Sequence, residues 1–297
     1  MPANTNQVNA SAPRLPRRWS RWVVYLALIA MAGYYLVPLY VMIVTAFKPL
    51  DEIHGGGLLT PPSDWTTSAW QAAWQGRCEG SGCGGMRDAF FNSLRMTIPA
   101  VLISTAIGAL NGYVLALWRF RGADIIFTAM MVGCFVPFQV VILPMARLLG
   151  AAGLAGTTTG LVMVHAIYGL AFTTLFFRNF YVTLPAELIH AARIDGAGFW
   201  RIFQRIVLPL STPIFMVCII WQFTQVWNDF LFGVVFASGE AQPVTVALNN
   251  LVNTTTGVKA YNVDMAAALI AALPTLAVYA VAGRYFVRGL TAGAVKG

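Results

Sequence analysis

Six stretches of this chain stay apolar for long enough to cross a hydrocarbon core: Trp22–Phe47, Leu94–Leu117, Ile125–Ala146, Thr158–Phe177, Ile214–Phe236 and Met265–Val287. A helix needs about 20 residues to span such a core, and in lipid every backbone N–H and C=O must be paired within its own segment or a closed barrel. Runs of this length predict an all-α integral membrane protein with six transmembrane helices. Of the 297 residues, 58% are hydrophobic and 10% charged, which is too little polar surface for a soluble domain of this size. The first run is too long for the apolar region of a signal peptide and no small-residue cleavage site follows it, so it is expected to remain as an anchor.

Orientation follows from the basic residues. With the N-terminus inside, the inner segments hold Arg14, Arg17, Arg18, Arg21, Arg119, Arg121, Arg178, Arg193, Arg201, Arg205, Arg284, Arg288 and Lys296. The outer ones hold only Lys48, Arg77, Arg87, Arg95, Arg147 and Lys259. The positive-inside rule then places both termini in the cytoplasm. The organisation expected is a cytoplasmic N-terminal tail (1–21), a first transmembrane helix (22–47) and a periplasmic loop (48–91). A transmembrane core (92–287) follows, with a cytoplasmic loop at 179–212 and a periplasmic loop at 237–263, and then a cytoplasmic C-terminal tail (288–297). The +8 net charge is dispersed over these short loops, which argues topology rather than nucleic-acid binding.

Between the fourth and fifth runs lies the one long arginine-bearing polar segment, Glu187–Pro213. Leu188, Ala191 and Ala192 fall on one helical face; Phe199, Ile202, Phe203 and Ile206 repeat the i, i+3, i+4, i+7 pattern. Two short amphipathic helices are expected. Asp195-Gly196-Ala197-Gly198 breaks them, with glycine free to take positive φ and Asp195 able to cap the second helix. Arg201 and Arg205 form a polar face, and Pro209 and Pro213 mark the turn back into the membrane. From these residues alone, the hairpin either lies on lipid headgroups or docks a protein partner.

The outer loops differ in character. Lys48–Ala89 is rich in Gly, Pro and Trp and reads as an irregular cap, with Trp65, Trp70 and Trp74 anchored at the interface. Cys78 and Cys83 sit there in a disulfide-permissive compartment, with glycines between them that allow closure; a disulfide is favoured over a metal site, since two Cys without His supply half a tetrahedral shell. Cys134 and Cys218 are expected to pack inside spans. The loop 237–263 is polar and turn-prone over LNNLVNTTTG.

No phosphate-loop motif, no Gly-x-Ser-x-Gly elbow, no His-Glu-x-x-His and no nucleophile triad occurs, so neither ATP hydrolysis nor covalent catalysis is expected of this chain. His54, His165 and His190 are isolated, and His165 reads as a hydrogen-bonded bundle histidine. A carboxylate in a span costs ~2.5–3.5 kcal/mol near the helix centre, so Asp229 is either interior-facing and functional or an interfacial residue bonded to a neighbouring helix. Gln222, Gln225 and Asn228 lie roughly on one face; with Gln139 and Asp229 they are possible pathway-lining residues or interhelical hydrogen-bonding groups.

The spacing Ala191-Ala192, three residues, Gly196, nine residues, Ile206, one residue, Leu208-Pro209 resembles the cytoplasmic coupling loop of permease subunits in bacterial ABC importers. Val136-Pro137-Phe138-Gln139 with Leu143-Pro144, Trp227-Asn228-Asp229, and the terminal Gly289–Gly297 extend the resemblance over nearly the whole membrane portion. The chain resembles the permeases of carbohydrate ABC importers, in particular the smaller, MalG-type subunit. That resemblance implies the type I importer (MetI-like) fold, five core helices with a peripheral first one. It implies ATPase coupling through Glu187, His190, Ala191, Ala192, Asp195, Gly196, Ala197, Ile206, Leu208 and Pro209, and a tail whose Gly293, Lys296 and Gly297 reach the ATPase interface. His190 departs from the family's pattern, which has glutamate there; Glu187, nearly one turn earlier, offers a carboxylate nearby.

The partners implied are a second, MalF-type permease, two ATPase subunits that bind ATP and Mg, and a periplasmic sugar-binding protein that meets the 237–263 loop. No cofactor is implied in this chain. The location implied is the bacterial inner membrane, and the cargo a hexose such as glucose or mannose, or a maltose-like sugar, with a polyol or glycerol phosphate as an alternative. A secondary transporter or channel would be expected to show an internal repeat or a cluster of acids, and a membrane enzyme paired catalytic groups.

Overall fold

The computed structural model describes residues 19–76, 85–118, 120–253 and 259–294. Cys78, Cys83, Lys296 and Gly297 lie outside the described residues. The described chain is helical, and its extended structure is one isolated bridge between Gly156 and Ala237.

Four helices are long and apolar enough to cross a membrane: α1 (Trp19–Ala46), α4 (Met86–Leu117), α7 (Thr158–Tyr181) and α13 (Tyr261–Ala294, apolar over Tyr261–Ala282). Short α2 (Leu50–Gly55) and α3 (Ser68–Gln75) lie between α1 and α4. Two further helix pairs are bent. α5 (Ala123–Phe135) and α6 (Phe138–Ala151) meet at 102°, and α9 (Phe199–Leu210) meets α10 (Thr212–Trp227) at 75°. The count is therefore four spans, or six if each bent pair is one. Helix α8 (Ala186–Ile194) precedes α9, and α11 (Leu231–Phe236) and α12 (Val244–Asn253) follow α10.

Two of the six expected spans are thus interrupted. Within Ile125–Ala146 the chain turns at Val136-Pro137. Proline has no N–H to continue the ladder and pushes its predecessor out of the helical region, and Val136 has φ −66, ψ 121. Within Ile214–Phe236 the helix stops at Trp227 and restarts at Leu231. Hydropathy does not register either break, because the runs on both sides of it are still apolar.

The core is the pair α4 and α7, packed at close range because small residues face the neighbouring helix. A Cβ on Gly112 would stand 2.6 Å from the Phe177 Cβ, and one on Gly108 would overlap Thr173. Half of each helix's apolar window is buried, against 6% for α1, which packs along α13 and leaves the rest of its surface exposed. The peripheral first helix expected from the sequence is thereby visible. Short side chains let backbones approach, and that close packing is what drives helix association where lipid is as apolar as the helices.

The outer loops are more ordered than the sequence suggests. α2 and α3 fold within 48–91, and α4 already begins at Met86. Trp70 and Trp74 are half-buried against neighbouring rings: Trp70 packs on Phe47 at 5.3 Å and Trp74 on Phe90 at 5.5 Å, while Trp65 is exposed. Lys48 is buried, its ammonium donating to Thr60 Oγ1 (3.0 Å) and the Gly57 carbonyl (3.2 Å). Of the stretch read as turn-prone, residues 248–253 belong to α12, whose Val244 N–H donates to Ser93 Oγ on α4 (2.8 Å), and 254–257 lie outside the described residues. At the other end α13 continues as helix through Ala294, taking in Gly293, where the sequence suggests a tail from 288.

Candidate functional site

Two places hold the residues singled out in the sequence. The first is the hairpin of α8 and α9. α8 ends in a Schellman motif: Gly196 has φ +75, its N–H donates to the Arg193 carbonyl (3.1 Å), and the Ala197 N–H donates to the Ala192 carbonyl (2.9 Å). Asp195 terminates α8 rather than capping α9, whose first turn starts from Gly198 without a side-chain cap.

Ile189 and Ala192, one turn apart, are the buried face of α8; Leu188 and Ala191, expected on the packed face, are exposed together with Glu187, His190 and Ile194. From α9, Ile202 and Val207 are fully buried and Phe199, Phe203 and Ile206 pack around them. This layer sits on Tyr113 and Phe177 of the α4–α7 pair. The Tyr113 hydroxyl donates to the Phe199 carbonyl (3.0 Å), and Arg193 caps the end of α4 by donating to the Leu117 carbonyl (3.2 Å) with its guanidinium 4.7 Å from the Trp118 ring. The middle of α9, Phe203–Val207, is π-helical, which lets Ile202 and Val207 both point inward. Leu208 and Pro209 stay exposed, as do Arg201 and Arg205. The hairpin is therefore fixed to the bundle on one face and presents apolar and basic side chains on the other.

The second place is a cavity of about 660 Å³ at the two span breaks, lined by α5, α6, α7, α10 and α11. Gln139, Gln222, Gln225 and Asp229 all line it. Asn228 does not: it turns toward α13, donating to Thr224 O (3.0 Å) and Thr275 Oγ1 (3.4 Å). Asp229 faces the cavity and is also bonded to a neighbouring helix. Its carboxylate accepts from the Phe232 (3.4 Å) and Gly233 (3.2 Å) N–H groups at the start of α11, and Oδ2 lies 3.6 Å from His165 Nε2. A carboxylate at a helix N-terminus satisfies donors that otherwise have no partner.

His165, read as a hydrogen-bonded bundle residue, has no hydrogen bond at Nε2; the imidazole packs on Phe232 at 5.4 Å. Gln222 donates through Nε2 to the His165 carbonyl (3.2 Å), leaving Oε1 buried without a partner. An unpaired buried acceptor costs about 1–3 kcal/mol. Trp221, Phe172 and Tyr168 also line the cavity, and the Tyr168 hydroxyl donates to the Val136 carbonyl freed at the bend (3.3 Å). The signal in the sequence for these further residues is the adjacency Trp221-Gln222 with Gln225 on one helix, and His165 with Tyr168 inside an otherwise mostly apolar run. Cys134 borders the cavity and Cys218 is buried in the hairpin-facing core. Among the described residues no cluster of His, Cys, Asp and Glu could hold a metal.

Residues 106–291 match the family model described as binding-protein-dependent transport system inner membrane component. A probable ABC transporter permease protein of Pyrococcus horikoshii is 37% identical over 94% of this chain and 98% of its own length. A xylose/arabinose import permease protein of Haloferax volcanii is 33% identical over 90% of both chains. A glucose import system permease protein of Saccharolobus solfataricus is 30% identical over 90% of this chain and 92% of its own. In structure, the chain is similar to a subunit of a bacterial ABC transporter involved in the import of the acidic polysaccharide alginate, with TM-score 0.78 and 19% identity over 93% of this chain and 100% of that one. The chain spans nearly the full length of these relatives, and its hairpin and broken spans fall inside the matched region; it belongs to the family of inner membrane components of binding-protein-dependent transport systems.

Proposed function

We propose that this chain is one of two permease subunits of an ATP-driven sugar importer, lining half of the translocation pathway and coupling ATPase closure to alternating access. The observation that carries the reading is the α8–α9 hairpin, fixed to the α4–α7 pair through Ile189, Ala192, Ile202 and Tyr113 while Leu188, Ala191, Ile194 and Arg201 stay exposed. A rigid element with an unpaired apolar and basic face is suited to receive the ATPase and to pass its movement into the spans as a rigid body.

On this reading the positive-inside distribution puts the hairpin and both termini in the cytoplasm of a bacterial inner membrane. ATP and Mg are held by two separate ATPase subunits, and a second permease closes the pathway. Gly293, Lys296 and Gly297 belong to a C-terminal segment directed to the ATPase interface. The opposite end of the bundle has a polar cavity of about 980 Å³ between the start of α4 and the 237–263 segment, bordered by Arg87, Asp88, Arg95, Glu240 and Gln242. It supports docking of a periplasmic sugar-binding protein there. Relatives that import xylose, arabinose or glucose support a mono- or oligosaccharide cargo.

The test is a pull-down of the tagged chain from its native membrane, followed by ATPase assays with the co-expressed binding protein. Recovery of a second permease and an ATPase, with hydrolysis rising only on addition of one sugar-loaded binding protein, is the expected result. A chain that purifies alone under conditions that preserve importer complexes would overturn it.

A further inference from the structure

We propose that the loop 55–61 is a membrane anchor: it dips beside α1 into the outer leaflet of the bilayer, with Leu58 and Leu59 among the lipid acyl chains and Trp65 at the headgroup level. The proposal goes beyond the importer reading and does not depend on it. It needs only that α1 spans a bilayer with its N-terminus inside.

The first ground is where the loop lies along α1. The Tyr40 hydroxyl donates to the Leu59 carbonyl (3.0 Å). Tyr40 stands six residues before Ala46, the last residue of α1, which is about 9 Å along a helix axis. Helical side chains lean toward the N-terminus, here the inner end, so the hydroxyl does not rise toward the surface. The carbonyl it holds therefore sits about 9 Å below the outer end of an apolar run long enough to span a membrane. Interfacial segments bury their apolar face to a similar depth, ~5–10 Å.

The second ground is what the loop displays. Leu58 is 70% and Leu59 61% exposed, and no charged residue falls between His54 and Asp64. Through the Tyr40 bond the two leucines adjoin Leu36, Tyr40 and Ile43, an exposed stripe of α1 at i, i+4 and i+7 spacing. The tip is thus continuous with the bare face of a span. Trp65 packs on Phe47 (5.6 Å), just past the outer end of α1, and is otherwise exposed. Tryptophan favours the membrane–water boundary, so leucines below and Trp65 above match the depth that Tyr40 sets.

The third ground is how the backbone is paired. The Gly57 carbonyl accepts from the buried Lys48 ammonium (3.2 Å), the Thr60 N–H (3.3 Å) and the Thr60 hydroxyl (2.7 Å), and Lys48 also donates to Thr60 Oγ1 (3.0 Å). With Tyr40 on Leu59, the carbonyl before the leucine pair and the one that ends it are both satisfied from within the chain. Water or a protein partner could supply such donors itself; hydrocarbon supplies none, so backbone entering it has to be paired already. The base of the loop is fixed as well. Asn262 of α13 donates to the Lys48 carbonyl (3.0 Å), and the Glu52 carboxylate accepts from the Ser63 N–H (3.0 Å) and hydroxyl (3.1 Å).

The experiment places the photo-reactive residue p-benzoylphenylalanine at Leu58 or at Leu59 of the full-length chain in its native membrane, with whatever partners it assembles. After irradiation, mass spectrometry of the purified chain should show phospholipid adducts at both positions. The same probe at the exposed Glu240 of the outer segment should give only background. Leu58→Asp should abolish the adduct at position 59, because a carboxylate resists entry into hydrocarbon, and Leu58→Ile should retain it. Leu58 is exposed, so neither change touches the core, and equal yields of the chain in size exclusion check this.

A second measurement needs no unnatural residue. Leu58→Trp adds an emitter at the tip of the loop. In vesicles of phosphatidylethanolamine and phosphatidylglycerol, the emission gained over the unaltered chain should be largely lost when the acyl chains are brominated and should resist iodide in the water. Cross-links from Leu58 and Leu59 to a protein instead of lipid would overturn the proposal and assign the tip to a subunit or binding-protein interface. Adducts no higher than those at Glu240, or quenching by iodide rather than by brominated lipid, would overturn it in favour of a loop in water. An undiminished adduct at position 59 in Leu58→Asp would overturn it too, since the leucines would then not drive insertion.

Discussion

The Tyr113 hydroxyl of α4 donates to the Phe199 carbonyl at the start of α9, 3.0 Å away and 86 residues on in the chain, and the two rings lie 4.9 Å apart. One contact thus ties a core membrane helix to the hairpin. Removing only the hydroxyl, in Tyr113→Phe, keeps the ring packing and should cost about 0.5–1.5 kcal/mol. Hydrogen exchange is expected to show lost protection in Phe199–Leu210 with α4 itself unchanged. Equal protection in both proteins would mean that the hydroxyl does not secure the hairpin.

Gly196 sits at φ +75, and a Cβ there would meet open space, so the demand at this position is on the backbone alone. Gly196→Val should cost roughly 1–2 kcal/mol by forcing an L-residue into the left-handed region, and Gly196→Asn less. Recovery of the ATPase in pull-downs should fall in the order Gly, Asn, Val. Full recovery with valine would count against the Schellman turn as the feature that sets the hairpin's shape.

The α4–α7 contact makes a second steric prediction. A Cβ on Gly112 would stand 2.6 Å from the Phe177 Cβ, whereas one on Gly133 of α5 meets nothing within 4 Å. Gly112→Leu should cost more than the ~1–3 kcal/mol typical of overpacking, because backbone lies close behind the clash. Gly133→Ala should be neutral or stabilising by up to ~1 kcal/mol. Size-exclusion profiles and thermal midpoints in detergent distinguish them; similar profiles would contradict the close approach.

Asp229 caps α11 through the Phe232 and Gly233 N–H groups. Asp229→Ala should loosen Leu231–Phe236 by about 1 kcal/mol, while Asp229→Asn keeps an acceptor oxygen and most of the cap. Exchange of the Leu231–Phe236 amides reads this directly. If the asparagine variant loosens the helix as much as alanine does, the negative charge rather than the acceptor geometry is what matters.

Much of the hairpin is legible in the sequence. The apolar repeat Phe199, Ile202, Phe203, Ile206 packs as its spacing indicates, and Gly196 turns the chain where a glycine is expected to. On α8 the packed face differs from the expected one. Leu188, Ala191 and Ala192 share an arc with Ile189, and periodicity cannot say which side of a short helix the bundle will cover. Burial falls on Ile189 and Ala192 because those positions join the cluster around Tyr113 and Phe199. Composition says nothing of the partners of Trp70 and Trp74, which pack onto Phe47 and Phe90 once Ser68–Gln75 folds as a helix.

Local rules acting along the chain determined what needed no partner: the all-helical membrane class follows from run length and the demand that backbone groups pair within lipid, and the turn at Gly196 from its freedom at positive φ. The cavity depended on the fold. Pro137 and Asp229 interrupt two runs of uniform hydropathy, and only the packing of α7 against α10 brings His165 to Asp229 and sets Gln222 over Gly169. Such a site is made of groups far apart in sequence, and the backbone pairing that makes the spans readable carries no information about which side chains will meet.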